Sequence, residues 1–332
     1  MSKPRVFVTR FILESGLNLI RDFCDADIWP DELPPSRQAI LEHVHGTDGL
    51  LCLLTDQIDA GIMEAAGPRL KVISSFSVGI DNVDVAAASE RGIPVGNTPG
   101  VLTDATADMA FALLLAAGRR IVEGAQGVRT GRWKTWGPAF MLGADLAGAT
   151  LGIVGFGRIG RAVARRAGGF GMRIIFSDAS QAAPEPGVDA TQVSLDTLLR
   201  EADFISLHTP LTEETRGLIN ADTLGRMKRT AVLINTSRGP VVDQQALYDA
   251  LVSKCIFAAG LDVTVPEPLP VEHPLLTLEN CLIVPHIASA SWRTRERMSL
   301  MAAENLIAGL KGERLPNCVN PEVYEHPRMK TN

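Results

Sequence analysis

The chain has 332 residues, 46% of them hydrophobic, and 32 Lys and Arg against 38 Asp and Glu give a formal net charge of −6. That balance excludes a basic nucleic-acid surface, and without any run of ~20 apolar residues it excludes a membrane-spanning helix. The five cysteines, Cys24, Cys52, Cys255, Cys281 and Cys318, make no C-x-x-C pair, which argues against a metal site and for reduced thiols in a cytoplasmic protein.

The first residues, MSKPRVFVTRF, are too short and polar a stretch for a secretory leader. From Arg5 to about Gly96, short β-rich runs alternate with amphipathic segments. RVFVT reads as a strand and LESGLNLIRDF as a helix, and DGLLCLL, AGIMEAA and KVISSF continue the alternation. This rhythm predicts parallel strands with helical crossovers. A long helical stretch is expected over TDATADMAFALLLAAGRRIVEGAQGVRTG, capped by Thr103 or Asp104. RWKTWGPAFMLGADLAG follows with no period and reads as an arm.

A second alternation begins at ATLGIVGFG and runs through RIIFSD, DFISLHTP, AVLINTS, IFAAGLDV and CLIVPH. Such near-continuous apolar strands suit a parallel sheet covered on both faces. A last helix, roughly Trp292 to Leu310, precedes a polar tail. The expectation is two α/β domains of doubly wound parallel sheet, in which ligands bind outside the carboxyl ends of the strands.

GFGRIG carries Gly155, Gly157 and Gly160 in the G-x-G-x-x-G pattern, after a strand and at the opening of a helix. There the first glycine permits a tight turn, the second a close approach of a pyrophosphate, and the third close packing of helix on strand. Asp178 ends the next strand, where a carboxylate reads the ribose hydroxyls and repels a 2′-phosphate. The following ASQAAPEP offers no arginine, so the cofactor reading is NAD, with NADH preferred over NADPH.

Arg238, Glu267 and His286 follow three successive strands. Their chemistry suits hydride transfer to a 2-keto acid. Arg238 would hold the carboxylate bidentately. His286 would donate the proton, and Glu267 would orient its ring and stabilise the imidazolium. His208 is read as lining the adenine side, His43 and His45 as solvated on a polar helix, and His273 as shaping a turn.

GFGRIG, NTSRGPVVD, GLDVTVPEPLPVEHPLL and VPHIASAS resemble the signature segments of the D-isomer-specific 2-hydroxyacid dehydrogenases. The likeness extends through FSVGIDNVD, GIPVGNTPGVLTDATADMAF and HTPLTEETRGLIN, over most of the chain. Within the family, PEPLP..HPLL and LPNCVNPEVY look most like the glyoxylate/hydroxypyruvate reductases and the 2-ketoaldonate reductases.

The resemblance implies a Rossmann NAD domain over residues 100–287, inserted into a flavodoxin-like substrate domain made of residues 1–99 and 288–332. It implies catalysis by Arg238, Glu267 and His286, and a carboxylate-binding role for the backbone of Val78 and Gly79. It also implies that Asp262 binds the nicotinamide amide and that Arg158, Ile159, Pro210, Thr236 and the loop after His286 line the cofactor. Ala288 stands where the family usually has glycine.

The arm, with Trp133, Trp136, Phe140 and Met141, suggests an interface. The expectation is a homodimer through the NAD domains, with Trp136 reaching the partner's substrate cleft and favouring small keto acids. The family also includes NAD-sensing corepressors, which would carry long disordered extensions, so the enzyme reading leads.

Overall fold

The computed structural model describes residues 3–181 and 186–330. The chain divides into two compact units, Met1–Leu102 with Ser291–Asn332, and Thr103–Ala290. The second is thus inserted into the first, its boundaries falling three residues beyond those expected from the resemblance.

In the first unit, β1 (Arg5–Val8), α1 (Glu14–Phe23), β2 (Asp25–Ile28), α2 (Arg37–Val44), β3 (Gly49–Cys52), α3 (Ala60–Ala66), β4 (Val72–Ser75), α4 (Val85–Glu90) and β5 (Val95–Gly96) alternate. The strands form a parallel sheet in the order β2-β1-β3-β4-β5, the flavodoxin-like arrangement. Ser36, Asp59 and Asp84 start α2, α3 and α4 by accepting the amides of Ala39, Ile62 and Ala87.

The inserted unit comprises α5 (Thr103–Gly118), α6 (Ile121–Arg129), β6 (Thr150–Val154), α7 (Arg158–Gly169), β7 (Arg173–Ser177), β8 (Ala190–Gln192), α8 (Leu195–Glu201), β9 (Phe204–Leu207), α9 (Ala221–Gly225), β10 (Val232–Asn235), α10 (Gln244–Val252), β11 (Ala258–Leu261) and β12 (Cys281–Ile283). Its strands are parallel in the order β12-β11-β10-β9-β6-β7-β8. Counted from β6, this is the Rossmann order with one further strand beyond β11. Separate apolar clusters cover the two faces, one around Phe111, Ile153 and Phe204, the other around Leu198, Ile205 and Leu233.

The chain then returns to the first unit as α11 (Trp292–Leu310), which packs on α1, β3 and β4, and ends in α12 (Pro327–Lys330). Ser74 donates to the Ala302 carbonyl at 2.8 Å, tying β4 to α11. Among the described residues, no helix is long and apolar enough to cross a membrane.

Three sequence expectations need correction. The long helical stretch breaks into α5 and α6 at Arg120, whose φ of 53° is left-handed and ends the first helix. Thr103 and Asp104 lie inside the first turn of α5 and are not its cap. His43 is not simply solvated: its ring stacks on Phe7 at 5.0 Å, meets Trp29 edge-on at 5.5 Å, and bonds Asp27 through Nδ1 at 2.6 Å.

Candidate active site

Three adjacent strands of the inserted unit, β10, β11 and β12, end in the residues of interest. At the end of β10, buried Asn235 ties the exit loop together. It accepts the amide and hydroxyl of Ser237 at 3.0 and 2.8 Å and donates to the Arg238 carbonyl at 2.9 Å. Arg238 is therefore presented from a fixed backbone, its Nη1 donating to the Ser237 carbonyl at 2.8 Å. A Cβ on the next residue, Gly239, would collide with the Thr264 carbonyl. Only glycine lets the loop after β10 lie this close to the loop after β11.

Glu267 sits in that second loop. Its Oε1 accepts the Thr264 amide at 3.0 Å, and its Oε2 lies 2.8 Å from His286 Nδ1. Burial opposes ionisation of Glu267, but the bond to His286, the imidazole charge, the Thr264 amide and Arg238 together hold its carboxyl below the usual range. An ionised carboxylate can only accept, so Nδ1 must donate and Nε2 is left for a substrate.

His286 follows β12 with φ of 51°, a left-handed conformation that costs a non-glycine residue about 1–3 kcal/mol. Asp262, at the end of β11 and 1% exposed, compensates for this. Its carbonyl accepts the His286 amide at 2.9 Å, and its carboxylate accepts the amides of Ile287 at 2.6 Å and Ala288 at 2.9 Å. Burial pushes the Asp262 carboxyl upward, against the two amides. This bracing was not anticipated, although an aspartate closing an apolar strand, GLDV, was its visible signal. Ala288 itself is buried.

The first turn after β6 has the shape a dinucleotide needs. Gly155 has φ of 89°, and a Cβ there would stand 2.7 Å from the His208 carbonyl. A Cβ on Gly160 would strike the Gly155 carbonyl, whereas one on Gly157 would meet nothing within 4 Å. The free space thus lies at Gly157, the N-cap of α7, which makes no side-chain capping bond, so the first amides of the helix, on Arg158 and Ile159, face outward. The hydroxyls of Thr209 and Thr236, beyond β9 and β10, are buried without a partner. An open cradle of amides beside orphaned hydroxyls is what a bound dinucleotide would complete, so the residues fit NAD.

Asp178 closes β7. Burial works against its ionisation, yet the Phe156 amide at 2.7 Å and the Ser180 amide and hydroxyl at 2.9 and 2.8 Å hold its pKa below the usual value. Part of the stretch after it, 182–185, lies outside the described residues. Pro210 follows β9 and is exposed. His208 bonds the Ser206 hydroxyl at 2.8 Å, and burial lowers its pKa to about 3, which leaves it a neutral wall residue.

In the arm, Trp133, Trp136, Phe140 and Leu142 are 54%, 79%, 46% and 63% exposed. Met141 instead turns back toward Gly124 and Gly127 of α6. In the first unit, Val78 and Gly79 occupy the loop after β4 and are half-buried.

Residues 111–288 match the family model for the NAD-binding domain of D-isomer specific 2-hydroxyacid dehydrogenases. The chain belongs to the D-isomer-specific 2-hydroxyacid dehydrogenase family. A glyoxylate reductase of Korarchaeum cryptofilum is 57% identical over 97% of this chain and 98% of its own. A Thermus thermophilus protein of known crystal structure is 51% identical, with a TM-score of 0.89 over 95% of this chain and 99% of that one. The NADPH-dependent glyoxylate/hydroxypyruvate reductase of Sinorhizobium meliloti, crystallised with NADP and malonate, is 34% identical, with a TM-score of 0.83 over 96% and 97%. Family membership makes the inserted unit the NAD-binding domain of an oxidoreductase.

Proposed function

We propose that the protein reduces glyoxylate and hydroxypyruvate to the corresponding D-2-hydroxy acids with NADH. The observation that carries this reading is the Glu267–His286 pair, 2.8 Å apart, on strand exits next to the one that presents Arg238. Relatives named for the same reduction support the choice of substrate.

A bound NADH supplies the hydride; the residues of the chain supply the rest. Arg238 holds the substrate carboxylate by its planar fork and draws electron density from the neighbouring carbonyl. His286 delivers the Nε2 proton to the carbonyl oxygen as that oxygen gains charge. Glu267 keeps the ring in the productive tautomer and stabilises its cationic form. In the first unit, the amides of Val78 and Gly79 are further donors assigned to the substrate. Asp262 acts on the nicotinamide amide as well as on the His286 turn.

Asp178 supports NADH over NADPH, because its carboxylate would repel a 2′-phosphate. The exposed apolar arm supports a homodimer through the NAD domains, with Trp136 facing the partner's substrate and narrowing access to small keto acids. A panel of 2-keto acids, followed by loss of NADH absorbance and ranked by kcat/KM, tests the assignment. Glyoxylate and hydroxypyruvate should lead, and a clear preference for a long-chain or sugar-derived keto acid overturns the substrate choice.

A further inference from the structure

In the loop leaving β4, four successive residues are held through their carbonyl groups. Ser77 O accepts the Thr98 amide at 2.8 Å, Val78 O accepts Asn97 Nδ2 at 2.8 Å, Gly79 O accepts Ser77 Oγ at 2.5 Å, and Ile80 O accepts the Val83 amide at 2.9 Å. Four consecutive carbonyls are thereby fixed. The amides of Val78 and Gly79 find no acceptor among the described residues. A half-buried amide without a partner is costly unless something else uses it, and adjacent amides of this kind form a concavity for an anionic oxygen.

The two side chains in this clamp are themselves fixed. The single hydroxyl proton of Ser77 goes to Gly79 O, so the Ser75 hydroxyl, 2.7 Å away, must be the donor in the Ser75–Ser77 bond. Asn97 is anchored through its backbone. Its carbonyl accepts Nδ2 of fully buried Asn305 on α11 at 2.9 Å, and its amide donates to the Asn317 carbonyl at 3.2 Å. Asn305 Oδ1 accepts the Asn317 amide at 3.0 Å, which closes the network. At the start of the loop, buried Phe76 lies 5.9 Å under the guanidinium of Arg295.

We infer that Asn97 and Ser77 are positioning residues for substrate binding: they turn the carbonyls of Val78 and Gly79 inward so that both amides point at the anionic end of a 2-keto acid. This rests on the reading that those amides bind substrate. Neither side chain touches substrate, so the expected signature is a split between keto-acid and cofactor constants.

Asn97→Asp keeps the shape but sets a carboxylate against the Val78 carbonyl. It should raise KM for glyoxylate about tenfold or more and weaken inhibition by oxalate in parallel, with the KM and fluorescence-measured affinity for NADH changed less than about twofold. Ser77→Ala should act alike, and Ser77→Thr, which keeps the hydroxyl, should restore most of the loss. A far-UV circular dichroism spectrum and a cooperative melting curve like those of the native chain show that a variant is folded. If Arg238→Ala raises KM for glyoxylate and neither Asn97→Asp nor Ser77→Ala does, the clamp is overturned. If Arg238→Ala also leaves KM unchanged, the assignment of the substrate site falls and the clamp falls with it.

Discussion

Asp262 and His286 are joined through backbone on both sides: the Asp262 carbonyl accepts the His286 amide, and the Asp262 carboxylate accepts the two amides that follow it. A left-handed residue is thus held by three bonds from one aspartate. Asp262→Asn preserves volume but turns an NH2 toward one of the amides. Leaving a buried donor unsatisfied should cost about 1–3 kcal/mol in urea unfolding. It should also lower kcat about tenfold, because His286 loses its fixed aim. Unchanged stability together with unchanged kcat would show that the brace is idle.

Glu267 gives a pH dependence with a definite sign. Its folded pKa lies below its ordinary value, so its contribution to stability is complete above about pH 4.3 and is lost as pH falls through the folded pKa. The melting-temperature gap between the native chain and Glu267→Gln should therefore shrink as pH falls below about 4. A gap that stayed level or widened below about pH 4 would contradict an ionised Glu267 held by these bonds.

The site was only partly legible in the sequence, for physical reasons. Strands such as AVLINTS and IFAAGLDV are buried on both faces and announce themselves by apolar content, so the residues following them could be read as strand ends. β2 and β8, which spell DADI and ATQ, are largely exposed edge strands and carry no such signal. The break at Arg120 depends on one φ value in an otherwise helical pattern. The brace by Asp262 and the clamp by Asn97 are side-chain-to-backbone bonds, and Asn97 lies 19 residues from its partner Val78. Local pattern does not encode such a bond; only the folded register of β4 and β5 brings the two together.

Cofactor choice turns on Asp178. Replacing it with serine, and Ala179 with arginine, removes the repulsion of a 2′-phosphate and adds a cation for it. The ratio of kcat/KM for NADPH to that for NADH should rise by at least about tenfold. If the native protein already prefers NADPH, as the Sinorhizobium meliloti relative does by its description, the reading of the β7 terminus is wrong.

The exposed arm makes two separable predictions. Light scattering at micromolar concentration should give twice the mass of the 35.6 kDa chain, and a monomer would exclude the dimer. Trp136→Ala should widen substrate tolerance toward bulkier keto acids while leaving the NADH constant unchanged. An unchanged ranking across the panel would remove Trp136 from the substrate site.

The central claim is that His286, oriented by Glu267, delivers the proton in reduction of a 2-keto acid. Steady-state loss of NADH absorbance with glyoxylate, measured side by side for the native chain and His286→Ala, tests it most directly. A fall in kcat of roughly 10²–10⁴ is expected, with NADH affinity by fluorescence essentially unchanged. A His286→Ala enzyme that turned over glyoxylate at near the native rate would contradict it.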